Sequence, residues 1–545
     1  MRGFLCLSTA LLALAGCAEE ATSQGEPPRP DPAPRTTMVK APEAESLPRR
    51  LQEGTTTPRE VVSKYLRRIE LIDQSGPKLQ SVLLVNSEAV SEAQRLEREV
   101  GEGAEKGPLY GLPILIKDNI ETKDMPTTAG SRALAANNTG RDAPAVARLR
   151  ESGAVILGKT KLSEWANFRS SGSISGWSAV GGLTRNPHDL SRNACGSSSG
   201  SGAAVAAGLS WAALGTETNG SVTCPAALNG IVGFKPTVGM ISRRHVVPIS
   251  SSQDTIGPMT TSVRDAAMLM NALAGTNEGD AATADADGQK TDFVASLDGA
   301  SLEGKRLGVL RWAESRDARE RAVFNEALRR AEEAGAILVE IEELGGEPLP
   351  GGEGFLVLKA EFKDLINAYL ADTAPEVTVR TLPDLIAFNE ADDKELSLFG
   401  QTILIDSEAT EGMAGEDYKL ALEALRRRVR DDGIDRLLTE NDVEALIAPS
   451  FGPAFMIDII RGDIIANRAG AGWMAAQAGY PHVTVPMGDL RGLPLGLSIM
   501  GGQWTDANVL RLGQAFEDIL PPRLEPTFRA TSDSNPALRD TIVSD

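Results

Sequence analysis

Histidine is almost missing from this chain: His188, His245 and His482 are the only three in 545 residues. A serine hydrolase built from this composition has little choice of base, and a lysine kept neutral by burial is the more plausible activator. Metal chemistry is equally short of ligands, because the histidines are isolated and Cys195 and Cys224 stand far apart in sequence, outside any zinc-binding spacing. No metal and no cofactor is expected. Long apolar runs are missing too. The leader stretch Phe4 to Ala15 holds about 12 residues, too few to cross a bilayer, and no later segment is long and apolar enough. Basic charge is in deficit, with 55 Lys and Arg against 75 Asp and Glu for a net charge of −20. Nucleic acid and anionic lipid would both repel such a surface.

What is present is a large potential core, 41% hydrophobic residues, behind a short leader. Met1-Arg2 gives a positive start, Phe4 to Ala15 an apolar stretch, and Leu14-Ala15-Gly16-Cys17 a small-residue cleavage site ending in cysteine. This pattern resembles a bacterial lipoprotein signal. It implies a signal peptide over residues 1–16, a lipid on Cys17, and a body outside the cytoplasm that touches a membrane through that lipid alone. A plain secretory peptide with an incidental cysteine is the rival reading. Ala18 is not a retention aspartate, which points to the outer membrane, periplasmic side. The leader carries one Arg and no acid, so its removal takes the net charge from −20 to −21. With Cys6 removed and Cys17 modified, Cys195 and Cys224 remain; in an oxidising compartment they form either a disulfide or two buried thiols.

Residues 17–56 are crowded with Pro, Glu, Ser and Thr, notably Pro27-Pro28-Arg29-Pro30, and read as a disordered tether. The folded body is expected over residues 57–520. Thr57-Pro58 offers a cap and a first-turn proline, followed by Val61, Val62, Tyr65, Leu66 and Ile69 at helical spacing. Short apolar runs at Ser81–Asn86, Pro113–Ile116, Ala154–Leu157, Ala212–Leu214, Arg306–Leu310 and Ala445–Ala448 read as strands, alternating with helices such as Ala143–Ser152 and Arg319–Ala334. This rhythm predicts an α/β fold, a sheet covered by α-helices, with no break sharp enough to split the body. Gly275 to Gly299 reads as a surface excursion and residues 521–545 as a loose C-terminal tail. There is no internal repeat, and nothing in the sequence sets an oligomeric state.

Several motifs compete for the chemistry. Gly153 to Thr160 has the spacing of a phosphate-cradling loop, but its interior, Ala154-Val155-Ile156-Leu157, is an apolar strand whose amides belong to a sheet ladder. Gly196-Ser197-Ser198-Ser199-Gly200 fits the nucleophile elbow of α/β-hydrolases, with Asp254 and His482 following in order. An elbow needs a strand directly before it, however, and Asn186 to Asn193 is a polar loop with a proline. The serine-glycine run instead leads into Ala203-Ala204-Val205-Ala206-Ala207-Gly208, a small-residue helix, so it sits at a buried helix start rather than in a surface linker.

Four segments in order carry a specific resemblance. Ile114-Leu115-Ile116-Lys117-Asp118-Asn119, Gly196-Ser197-Ser198 with its alanine helix, Gly215-Thr216-Glu217-Thr218-Asn219-Gly220-Ser221, and Gly230-Ile231-Val232-Gly233-Phe234-Lys235-Pro236-Thr237 are together similar to the amidase signature family. Gln253 to Met259 and Gly492 to Gly496 fit as well. Cys195 and Ser199 stand where the family usually has glycine, Glu217 and Asn219 where it has Asp and Gly. The variant Val222-Thr223-Cys224-Pro225 resembles the peptide amidase branch.

The resemblance implies a single large α/β domain with a mixed β-sheet covered on both faces by α-helices, with Ser221 as nucleophile, Ser197 as bridging serine after a cis peptide, Lys117 as base, and backbone amides of Thr218, Asn219, Gly220 and Ser221 as an oxyanion hole. Physical chemistry agrees with these roles. A lysine titrates near ~10.4 in water and accepts a proton at neutral pH only when desolvated, which Ile114 to Ile116 would promote. A departing amine must be protonated, and a serine hydroxyl both accepts and donates. Glu217 and Asp254 read as structural hydrogen-bonding acids. The expected function is hydrolysis of a small-molecule or peptide amide to a carboxylate and ammonia or an amine. The rivals are an esterase using Ser198 and His482, and a solute-binding lipoprotein without catalysis.

Overall fold

Strands Pro113–Lys117, Val155–Thr160, Ala212–Glu217 and Val232–Lys235 are buried at every position, as a sheet sandwiched between helices requires. The computed structural model describes residues 46–345, 352–465 and 469–534. All of them fall within one compact unit, Ala41–Asp545. The signal peptide, Cys17 and most of the tether lie outside the described residues.

In chain order the strands are β1 (Val82–Val85), β2 (Pro113–Lys117), β3 (Val155–Thr160), β4 (Trp177–Ser178), β5 (Gly182–Leu183), β6 (Ala212–Glu217), β7 (Val232–Lys235), β8 (Thr255–Thr260), β9 (Arg306–Leu310), β10 (Ile337–Ile341), β11 (Ala445–Pro449), β12 (His482–Leu490) and β13 (Leu493–Met500). Strands β4 and β5 pair only with each other. The rest form one mixed eleven-stranded sheet, β1-β3-β2-β6-β8-β7-β12-β13-β11-β9-β10. β2 runs parallel to both β3 and β6, with Ile116 opposite Leu214. The C-terminal ends of β2 and β6 therefore emerge side by side, where ligands bind in sheets of this kind.

Helices α1 (Leu47–Glu53), α2 (Pro58–Arg68), α3 (Ala89–Gly101), α4 (Pro144–Glu151), α5 (Ser199–Ala206), α6 (Thr223–Asn229) and α7 (Val263–Leu273) belong to the half of the fold that carries the candidate site. The start of α2 is as expected: the Thr57 hydroxyl accepts from Glu60 N and Pro58 opens the first turn. Helix α5 is buried at all eight positions, and its small residues let it lie against its neighbours. A Cβ on Gly200 would come within 2.3 Å of Ser81 O, and one on Gly202 within 3.0 Å of Pro225 O in α6.

Two boundaries differ from expectation. The folded body begins ten residues earlier, because Leu47 and Leu51, one helical turn apart on α1, are 2% and 0% exposed and Gly54 closes the helix in a left-handed conformation. The proline- and glutamate-rich composition around α1 hid that two-residue apolar stripe. The tail beyond residue 521 is tied down as far as it is described. Phe528 N donates to Pro187 O at 2.9 Å, Leu190 N to Arg529 O at 2.8 Å, and the Arg529 guanidinium to Gly492 O at 2.7 Å. The segment 275–299 is a surface excursion pinned by buried Thr283, Ala286, Phe293 and Leu297.

Candidate active site

Lys117, the last residue of β2, has no solvent exposure. Its Nζ lies 2.8 Å from Ser197 Oγ, 2.8 Å from Thr216 Oγ1 and 3.2 Å from Thr216 O. Three oxygens serve both protonation states: an ammonium finds an acceptor for each N–H, and a neutral amine gives two N–H groups to Thr216 and turns its lone pair to the Ser197 hydroxyl. Burial pushes the lysine down from its ordinary value of 10.5 to about 7, while the carboxylates of Asp254 and Glu217 hold it from falling further. Thr216 was not singled out by sequence reasoning. Its hydroxyl also accepts from Asn119 Nδ2 at 2.9 Å, so it joins the Lys-Asp-Asn motif to β6. The signal available in sequence was its position in the Gly215 to Ser221 segment.

Ser197 is fully buried, follows a cis Gly196-Ser197 peptide, and accepts from Ser163 N at its carbonyl (3.0 Å). The neighbouring serines serve the backbone. Ser198 Oγ bridges Thr216 O and Thr216 N at 3.2 Å each, Ser199 Oγ donates to Cys195 O at 2.5 Å, and Ser201 Oγ donates to Leu214 O at 3.0 Å. Of the serine run, Ser197 is thus the one bonded to the lysine. A disulfide joins Cys195 to Cys224, resolving the pairing that the sequence left open.

Ser221 lies half-buried in the turn between β6 and α6, and its carbonyl accepts from Ser198 N at 3.2 Å. Gly220 has φ of +81°, a conformation that favours glycine and sharpens this turn. Glu217 shapes the far side of the turn: its Oε2 accepts from Val222 N, Thr223 N and Thr223 Oγ1 at 2.8, 3.0 and 3.2 Å. Among the described residues, the amides of Thr218, Asn219, Gly220 and Ser221 have no protein acceptor, as an oxyanion hole requires. Asp254 accepts from Thr218 Oγ1 at 2.6 Å and from Ile249 N and Ser250 N at 2.8 Å. Desolvation pushes its carboxyl above the usual range, and the bond from Thr218 opposes that. Both acids therefore hold backbone, as expected.

A cleft of about 210 Å³ opens beside this machinery, lined by Asn119, Thr216, Thr218, Val247, Ile256 and Leu365 among others. A larger cavity, about 820 Å³, lies between Thr261–Asp265, Leu297–Ala300 and Gln514–Glu525 and shares no lining residue with the Lys117, Ser197 or Ser221 loops.

The esterase constellation does not assemble. Ser198 is bound to Thr216, whereas His482, 1% exposed on β12, sits 2.6 Å from Ser498 Oγ and is pushed down to about 4 by burial. Asp254 is held by Thr218 and not by a histidine. His188 likewise faces Asn229 O at 3.0 Å. The phosphate-loop spacing also dissolves, since Val155–Thr160 is strand β3 and Lys159 pairs with Asp118 at 3.2 Å.

Comparison with known proteins places this geometry. A family model described as Amidase matches residues 60–510. A probable amidase of Arabidopsis thaliana is 38% identical over 495 residues, covering 88% of this chain and 90% of that protein. A glutamyl-tRNA(Gln) amidotransferase component from Pseudothermotoga lettingae is 34% identical over 480 residues, 85% of this chain and 94% of that one. Among solved structures, the native peptide amidase of Stenotrophomonas maltophilia superposes with a TM-score of 0.83 at 43% identity, covering 89% of this chain and 98% of that chain.

Proposed function

The chain belongs to the amidase signature family and hydrolyses amides, and from that premise we propose that it does so through an acyl-enzyme on Ser221, outside the cytoplasm, on peptide C-terminal amides or small amides. The observation that carries the mechanism is the buried, solvent-free Lys117 within 2.8 Å of Ser197 Oγ. Neutral Lys117 takes the proton of Ser197 as Ser197 takes that of Ser221, whose Oγ attacks the substrate carbonyl. The oxygen becomes negative against the amides in the turn Thr218 to Ser221; losing one such donor costs about 3 kcal/mol in the transition state. Ser197 then delivers a proton to the departing nitrogen, the C–N bond breaks, and ammonia or an amine leaves. Water activated along the same relay releases the carboxylate and restores Ser221.

The peptide-amide preference rests on the 43% identity to a peptide amidase. The amidotransferase role fits less well, because it needs tRNA, and this chain combines an export-like leader with a net charge of −20. Export and lipidation on Cys17 follow from the leader pattern, and Cys17→Ser would release the protein from a membrane fraction if that reading holds. The central experiment incubates the enzyme with a panel of peptide amides and small amides and looks for the acyl-enzyme by mass spectrometry. The expected adduct maps to Ser221 and is absent from Ser221→Ala and Lys117→Ala; amide hydrolysis that survives in both variants would overturn the mechanism.

A further inference from the structure

Two loops from different parts of the chain must meet for this chemistry to run, and a covalent bond joins them. Cys195 stands two residues before Ser197; Cys224 stands three residues after Ser221, in the first turn of α6. Their Cα atoms are 6.0 Å apart, and the residues are 7% and 5% exposed. Resting on the roles given above to Ser197 and Ser221, we propose that the Cys195–Cys224 disulfide is a positioning element of the catalytic pair, holding the bridging serine in register with the nucleophile so that amide turnover depends on its being closed.

Hydrogen bonds also tie these segments: Ser198 Oγ bridges Thr216 O and Thr216 N at 3.2 Å each, and Ser201 Oγ donates to Leu214 O at 3.0 Å. Ser198 N reaches Ser221 O at 3.2 Å, toward the long end for such a bond, and Asn229 Nδ2 reaches Ala194 O at 2.9 Å from the far end of α6. Each of these hydrogen bonds is a modest, reversible contact; the covalent link fixes the span. The backbone at Cys195 gives a second, independent sign. Its φ is +58°, in the left-handed region where glycine is the easy choice, and this chain nevertheless carries a side chain there. That side chain is the one that makes the bridge. The pair is packed with Ala227, Leu228, Ala454, Phe455 and Leu493, which shields the sulfurs and makes the clamp part of a small apolar cluster. A covalent tie of this sort forms in an oxidising compartment, consistent with the export proposed above.

The consequence is chemically selective. For both substrates Ser197 takes the proton of Ser221, but only an amide also needs Ser197 to protonate its leaving group, a step that an amine requires and a nitrophenolate does not. A shift of the Ser197 loop by about 1 Å is enough to cost roughly 100-fold in a step that depends on alignment. Opening the bridge should therefore damage amide hydrolysis far more than hydrolysis of an activated ester with the same acyl group.

The test measures kcat and KM for a peptide amide and for the matching p-nitrophenyl ester, using Cys195→Ser, Cys224→Ser, the double variant, and native enzyme opened with a phosphine reductant, with free thiols counted by mass spectrometry. Expected is a fall in amide kcat of roughly 10- to 100-fold with KM little changed, a fall in ester kcat about 10-fold smaller than that of the amide, and recovery on reoxidation. If the variants do not fold, the reduced native enzyme gives the same ratio. Equal losses for both substrates would make the bridge a stability element alone and overturn the proposal, as would no loss at all. A native enzyme that hydrolyses esters but no amide fails the functional reading itself, before the bridge is touched.

Discussion

Amide hydrolysis by this enzyme should switch on with rising pH through neutrality, and the position of the switch is set by burial of one amine. Moving Lys117 from its ordinary 10.5 to about 7 corresponds to about 5 kcal/mol against the cationic form. Only the neutral amine accepts a proton from Ser197, so the active fraction is about one tenth at pH 6, half near pH 7 and nine tenths at pH 8. Log kcat/KM plotted against pH should rise with a slope of about +1 below neutrality and level off above about pH 8. The same displacement has a consequence for folding. Between about 7 and 10.5 the unfolded chain holds the proton and the folded chain does not, so this site's cost to stability is full below about 7 and fades as pH rises through that window. Initial rates on a peptide amide between pH 5 and 9, with fold checked by circular dichroism at each end, give the profile. Lys117→Arg supplies the control, because a guanidinium stays charged and would reduce kcat by about 1,000-fold or more at every pH. A flat profile from pH 5.5 to 8.5, or an active Lys117→Arg enzyme, would refute the reasoning.

Three further outcomes follow from the geometry. Thr216→Val removes the oxygen that accepts from both Lys117 and Asn119; kcat should fall roughly 10-fold and the rising limb of the pH profile should move to lower pH, since a lost acceptor weakens the cationic amine most. Asp254→Asn removes the carboxylate charge that contributes most to holding the lysine's affinity for protons up, so its pH profile should also shift down, with a loss in kcat from the freed Thr218 side chain; a shift upward in either variant contradicts the assigned electrostatics. His482→Ala should keep kcat/KM within about threefold while losing about 1–3 kcal/mol of stability by denaturant titration, because its buried hydrogen bond goes to Ser498 and to none of Lys117, Ser197 and Ser221.

Much of the candidate site was legible in sequence through the resemblance its motifs carry, with a physical reason beside several of its residues. Lys117 was readable because an apolar strand ends on it, which forecasts burial, and burial is what lowers a lysine's affinity for protons. The serine-glycine run announced a close-packed helix start because only small side chains allow the approach seen between α5 and its neighbours. The strand pattern predicted a helix-covered sheet, since β2, β3 and β6 are apolar for most of their length. Less visible was α1, where two leucines one turn apart sit in a proline- and glutamate-rich stretch whose composition outweighs its periodicity.

Local chemistry therefore determined the residue types of the relay: a desolvated amine, a serine beside glycine, and a sharp glycine turn carrying a second serine are each written in a few consecutive residues. Partnership between those segments was decided only by the fold. Which hydroxyl of Ser197, Ser198, Ser199 and Ser201 reaches the amine depends on the register of β2 against β6, and that register places Thr216 beside Lys117 and gives Ser198 to the backbone. Whether Cys195 meets Cys224 depends on how the loop before α5 approaches the first turn of α6, a distance that no spacing along the chain encodes. Short-range sequence fixes what a side chain can do; the packing of distant segments fixes which other side chain it does it to.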